Sequence, residues 1–263
     1  MSADLVLFEK SDHVATVTLN QPATLNALTP DMVVRLHDIV DDAADDRDVR
    51  AVLLTGAGRG FCSGANLMGG SGEALAGGGM SVRSVILTMN DLLVSIAEME
   101  KPWVAAVNGP AVGGGFSLAL VCDLVLAAES AYLSAGFVKV GMVLDMGSTF
   151  LLPRLVGLRK ANELAFFGDR VYGPEAAEMG LINRAVPDGE LMAVAWEWAT
   201  RLAAAPTLAV GAIKLGLRRG LQGSFRDTLH WEAMMQSLIA QTEDAAEGIM
   251  AFFQKREPEF KGK

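Results

Sequence analysis

The segment KPWVAAVNGPAVGGGFSLALVCDLVLA, ending at Ala127, constrains this chain more than any other. Trp103–Val107 is a short apolar run and reads as a buried strand. Asn108, Gly109 and Pro110 break it. Gly113, Gly114 and Gly115 then open a second apolar run, Phe116–Val121, which reads as a buried helix. A buried strand passing through glycines into a buried helix belongs to a layered α/β core. Glycines at a helix start leave the first backbone N–H groups bare and approachable. Those donors lie at the positive end of the helix, where developing negative charge is stabilised. The same triplet also suits plain close packing of the helix on the strand.

A related arrangement lies upstream. Val49–Leu54 reads as a strand that runs into Thr55-Gly56-Ala57-Gly58-Arg59-Gly60-Phe61-Cys62-Ser63-Gly64-Ala65. The GAGRG part is misspaced for a dinucleotide loop, no helical period follows, and no partner acid ends a second strand, so the Rossmann reading is set aside. Gly64-Ala65 instead offers a second bare N–H. Two such donors converging on one oxygen make an oxyanion hole.

With these pieces the chain resembles the enoyl-CoA hydratase/isomerase (crotonase) superfamily over nearly all of its length. The resemblance runs through Asn26-Ala27-Leu28, RGFCSGANL (Arg59–Leu67) and the glycine-triplet segment. It continues through Cys122-Asp123-Leu124, LPRLVG (Leu152–Gly157), Met179–Leu181 and AFFQKREPEF (Ala251–Phe260). It implies an α/β fold, a crotonase-type spiral of ββα turns over residues 1–200. A helical trimerisation region over 201–263 would follow, giving a homotrimer or a dimer of trimers. It also implies that the N–H groups of Ala65 and Gly114 hold a thioester carbonyl oxygen while an enolate forms. Coenzyme A enters as part of the acyl-CoA substrate, so no separate cofactor is expected. The loop Ala65, Asn66, Leu67 and Met68 matches the family's CoA-side loop, with Asn66 where aspartate is common. Phe252 and Lys255 match C-terminal positions that contact CoA, often from a neighbouring subunit. Lys255 is equally an ordinary cation at a helix C-terminus.

The acid/base positions depart from the hydratase pattern. The two glutamates of hydratases would fall at Ser117 and Phe137, and neither residue activates water near neutral pH. Asp145 stands in an otherwise apolar stretch, Gly141–Gly147, just before a helix. From the residues alone it could be an N-cap. Its position matches the aspartate of dienoyl-CoA isomerases, 1,2-epoxyphenylacetyl-CoA isomerases and 4-chlorobenzoyl-CoA dehalogenases, and the stretch around it looks most like the epoxyphenylacetyl-CoA isomerase branch. The resemblance therefore implies an isomerase with Asp145 as proton carrier. A hydratase using Asp145 alone and a silent acyl-CoA-binding subunit are the alternatives.

Other ionisable groups fit less well. His13, His37 and His230 lie away from the motifs, Cys62 and Cys122 each adjoin an apolar run, and no metal-ligand spacing occurs. The net charge of −9 over 263 residues comes without a basic stripe and argues against nucleic acid. No apolar run reaches a membrane span, MSADLVLFEK lacks a signal-peptide pattern, and a cytoplasmic location is expected.

The remaining layout follows from pattern. Leu5–Glu9 and Val14–Leu19 form a hairpin, and Thr29 with Pro30 opens a helix. A glycine-rich stretch, Gly69–Gly79, is either a linker or a flap over the acyl pocket. A helix follows over Met80–Met99, and Leu124–Ala128 and Ala131–Leu133 are extended. Further helices are expected at Ser148–Val156, Leu158–Phe167, Pro174–Met179, Glu190–Ala204, Pro206–Leu221, Phe225–Ala240 and Thr242–Lys255.

Overall fold

The computed structural model describes residues 5–66 and 79–263. The chain opens with strands β1 (Val6–Ser11) and β2 (Val14–Leu19), paired antiparallel. Asp12 and His13 both take positive φ, 50° and 63°, which matches the two-residue turn whose twist suits a hairpin. Strands β3 (Ala51–Gly56), β4 (Trp103–Val107), β6 (Leu124–Ala128) and β9 (Arg184–Val186) continue one six-stranded sheet in the order β1-β2-β3-β4-β6-β9. Every pairing after the first hairpin is parallel. β3 and β4 are buried at every residue, the signature of parallel strands covered on both faces. A smaller sheet joins β5 (Ala111–Val112), β7 (Tyr132–Ser134) and β8 (Val171–Tyr172).

Helices close the layers. α1 (Pro30–Asp45) starts at Thr29, whose hydroxyl accepts the Met32 N–H at 3.2 Å, with Pro30 in the first turn. α2 (Gly79–Glu98) packs against it, and α3 (Gly114–Val121) is buried at every residue. α4 (Ser148–Phe167) leaves helical geometry at Gly157 (φ 75°, ψ 159°), so it is two helical segments, as the sequence suggests. α5 (Gly173–Glu178) leads to β9, and α6 (Leu191–Ala203) lies along the main sheet. Leu191, Ala195, Ala199 and Ala203, four residues apart, form its buried stripe; three are alanines, which let it approach the strands closely.

Beyond Ala203 come α7 (Thr207–Gly220), α8 (Phe225–Ile239) and α9 (Glu243–Gln254). Lys214 on α7 is 7% exposed. It pairs with Asp123 at 2.9 Å and donates to the carbonyls of Ile96 (3.0 Å) and Lys101 (3.2 Å), which ties α7 to the sheet. The tail folds back: the Asp244 carboxylate accepts the N–H groups of Lys261 (2.6 Å) and Gly262 (2.8 Å), and Arg50 donates to the Lys261 carbonyl at 2.6 Å. Among the described residues, no helix is long and apolar enough to cross a membrane.

Candidate active site

The site begins where β3 ends. Two buried or half-buried asparagines hold the Gly56–Gly60 loop in shape. Asn26 donates through Nδ2 to the carbonyls of Ala57 (3.0 Å) and Gly60 (2.7 Å) and accepts the Gln21 N–H at 2.8 Å. Asn108 donates to the carbonyls of Gly56 (2.8 Å) and Gly58 (3.0 Å). Asn108, which reads in the sequence as a strand breaker, therefore also binds the loop to the end of β4. Such a loop has no secondary structure to satisfy its carbonyls, and the two amides do so instead.

The loop delivers Gly64 and Ala65 beside the start of α3. Leu28 N–H donates to the Gly64 carbonyl at 2.7 Å, and Asn66 N–H donates to the Leu28 carbonyl at 2.9 Å. In an extended segment alternate amides point to opposite sides, so Ala65 N–H faces away from Leu28. It faces the start of α3: a β-carbon built on Gly114 would lie 3.8 Å from Ala65 N. Gly114 is the first residue of α3, and its N–H has no intrahelical partner. Among the described residues neither amide donates to any acceptor. Two unspent donors thus stand side by side, one of them at the positive end of a helix.

The two readings of the glycine triplet divide between its members. Gly115 serves packing, because a β-carbon there would stand 2.0 Å from the Cys62 carbonyl oxygen. Gly114 serves exposure of its amide. Upstream, Gly64 holds φ at 97°, and a side chain on it would press on the Val112 carbonyl at 2.8 Å.

Asp145 sits on the facing turn. It does not cap α4: the residue before the helix is Gly147, without a side-chain cap bond. Met146 and Gly147 both take left-handed φ, 48° and 78°. The turn is closed instead by main-chain bonds, Ser148 N–H to the Asp145 carbonyl and Leu151 N–H to the Gly147 carbonyl, each 3.0 Å. The carboxylate is left over, with its Oδ1 buried and unpartnered. Burial pushes its pKa up to about 6. The next residue, Met146, ties this turn to the amide pair, since its sulfur lies 3.0 Å from a β-carbon position on Gly114.

Ser117 and Phe137, where the resemblance puts hydratase carboxylates, are buried. Ser117 Oγ lies 3.2 Å from the Asp145 main-chain carbonyl and makes a short hydrogen bond with Ser148 Oγ. Phe137 packs toward Gly113, its ring edge 3.8 Å from a β-carbon position there. Cys62 and Cys122 are buried thiols, and burial pushes each up to about 12. His13 and His37 bond the main-chain carbonyls of Asp48 and Thr88, away from Asp145. Leu67, Met68 and most of the Gly69–Gly79 stretch lie outside the described residues. Phe252 is 79% exposed, and Lys255 forms the left-handed C-cap of α9 at φ 53°. Among the described residues no group of three or more His, Cys, Asp or Glu side chains is placed to hold a metal ion.

A family model described as enoyl-CoA hydratase/isomerase matches residues 9–263. The chain is 38% identical to a protein of Rhodobacter capsulatus named as a probable enoyl-CoA hydratase, across the full length of both. It is 36% identical to the 1,2-epoxyphenylacetyl-CoA isomerase of Escherichia coli, over 99% of each chain. The crystal structure of an enoyl-CoA hydratase from Bacillus anthracis superposes with a TM-score of 0.93 at 32% identity, covering 98% of this chain and all of that one.

Proposed function

The chain belongs to the enoyl-CoA hydratase/isomerase family, with its crotonase fold, and from that premise we propose that it is an acyl-CoA isomerase with Asp145 as the proton carrier. The substrate's thioester oxygen accepts the N–H groups of Ala65 and Gly114. Asp145 takes a proton from the α-carbon of a 3-enoyl thioester. The C–H electron pair moves into the acyl chain and builds negative charge on the thioester oxygen, where the two amides stabilise it. The same carboxyl then returns the proton to the γ-carbon, the double bond shifts, and Asp145 is again a carboxylate. No water is added to the acyl chain, and the enzyme ends as it began.

The observation that carries this reading is the Asp145 carboxylate: half-buried, one oxygen unpartnered, poised near neutrality, on the turn that packs against Gly114. Ser117 and Phe137 favour isomerisation over hydration, because water addition in this family's pattern uses two carboxylates and both places are uncharged. The identity to an epoxyphenylacetyl-CoA isomerase lends further support. The identity to named hydratases supports the alternative, hydration through Asp145 alone. The CoA moiety would lie along Ala65, Asn66, Leu67 and Met68, with Phe252 and Lys255 adding contacts in the assembled protein. The exposed apolar side chains of α7–α9, among them Ile213, Leu217, Phe225 and Phe253, support self-assembly as a trimer or a dimer of trimers.

The test is deuterium wash-in. Asp145 is half-exposed, so its carboxyl proton exchanges with solvent while the dienolate is held, and crotonyl-CoA incubated with the enzyme in D₂O and followed by NMR should gain deuterium at its γ-carbon. Accumulation of 3-hydroxybutyryl-CoA deuterated at its α-carbon, with no deuterium at the γ-carbon, would favour the hydratase, and neither change would favour a silent binder.

A further inference from the structure

Ser117 and Ser148 are fully buried, and both hydroxyls converge on one main-chain oxygen, that of Asp145. Ser148 Oγ lies 2.9 Å from it and Ser117 Oγ 3.2 Å, and the two hydroxyls also bond each other. Ser117 has a further contact, 3.3 Å, with the Gly113 carbonyl. Each hydroxyl has a single proton. Ser148 can donate to Asp145 while Ser117 donates to Ser148, or Ser117 can donate to Asp145 directly. Either arrangement keeps the Asp145 carbonyl held.

The elements joined give this contact its meaning. Ser117 is on α3, three residues after Gly114, whose amide is one of the two free donors. Ser148 is the first residue of α4 and follows the turn bearing Asp145. The serine pair therefore ties the helix that presents the oxyanion donor to the turn that presents the acid. The Asp145 side chain itself has no fixing partner on Oδ1. Its direction is set by its main chain, and that main chain is held by the two hydroxyls together with the Ser148 N–H, which donates to the same carbonyl at 3.0 Å. Met146, a side-chain-bearing residue at left-handed φ, makes this a turn that needs such a hold.

We propose that Ser117 and Ser148 are positioning residues, a two-hydroxyl clamp that fixes the Asp145 carboxylate relative to the Gly114 amide. The proposal rests on the reading of Asp145 as the proton carrier. In this chain the place that the resemblance gives to a hydratase glutamate thus holds a group that aims a different acid. Serine fits because a short hydroxyl both fills the buried space beside Gly113 and reaches the Asp145 carbonyl, without adding a second charge to an apolar pocket.

The experiment is a double-mutant cycle on the deuterium wash-in rate of crotonyl-CoA, with S117A, S117C, S148A, D145N and S117A/D145N. S117C has a poor donor and is larger than serine where alanine is smaller, so a fall shared by the two variants reports the lost donor rather than a void. S117A and S117C should each slow exchange by about 10- to 100-fold, the scale of a misaimed catalytic group, with KM held within about twofold. S148A should fall in the same direction. In the D145N background S117A should change nothing further, because the group that it aims is gone. Wild-type exchange in both Ser117 variants, with D145N slow, would overturn the clamp and leave Asp145 standing. An equal fall from S117A in both backgrounds would also overturn it, by showing that the hydroxyl acts on the fold rather than through Asp145. Wild-type exchange in D145N would overturn the reading beneath it and the clamp together.

Discussion

A side chain on Gly115 would collide with the Cys62 carbonyl, its β-carbon only 2.0 Å from that oxygen. This contact seats α3 on the oxyanion loop. Gly115→Ala is expected to cost about 3 kcal/mol or more, since the obstacle is main chain that cannot swing aside. Urea unfolding should show a lower midpoint, and wash-in should weaken because Ala65 and Gly114 are moved apart. A midpoint equal to wild type would contradict the packing.

Asp145 should make stability depend on pH in an unusual direction. Its folded pKa, about 6, lies above the carboxylate value of an unfolded chain. The folded state therefore binds this proton more tightly, and ionising the group costs stability. That cost is absent below the unfolded pKa, grows as pH rises through the window between the two values, and is complete above the folded one. Asp145→Asn is thus expected to be more stable than wild type by about 1–3 kcal/mol near pH 8, after allowing for partial exposure, with the gap closing toward pH 4. Paired denaturant titrations at the two pH values check the sign.

The same ionisation should appear in the rate. Proton removal needs the carboxylate, so kcat/KM for wash-in should rise with pH and level off above a midpoint near 6. A flat profile across that midpoint would point to a different base.

Lys214 and Asp123 form a buried ion pair at 2.9 Å, with Arg218 as a second partner of Asp123 at 3.1 Å. Lys214→Met should destabilise the protein by about 3 kcal/mol, because Asp123 keeps its charge in a half-dry place with one cation fewer. Lys160→Ala removes an exposed pair with Glu163 and should cost less than about 1 kcal/mol. Thermal unfolding of the two variants separates a structural tie from a surface contact.

Local features of the fold were legible in the sequence, and contacts between distant residues were not. The Thr29-Pro30 helix start and the break at Gly157 follow from residue type within one turn of chain, and both stand in the structure. β5, β8 and β9 have only two or three residues each and exist through their partners, so no run of residues announces them. The glycine triplet before a helix and Gly64-Ala65 after a strand are local signals of bare amides, and the family resemblance picks out Gly114 and Ala65 among them. Asn26 and Asn108 act on loops far along the chain, and the Ser117 contact with Asp145 spans 28 residues. The residue type of Asp145 suits a helix cap equally well. Only the left-handed turn at Met146 and Gly147 removes that role and leaves the carboxylate unpartnered.

The central claim is that Asp145 carries the proton, and the most direct measurement is the wash-in rate of Asp145→Asn beside wild type. Asparagine keeps the shape of the side chain and removes the base. The variant should fold, bind CoA with wild-type affinity and exchange about 10²- to 10⁴-fold more slowly. Exchange at the wild-type rate in a folded Asp145→Asn protein would contradict the account.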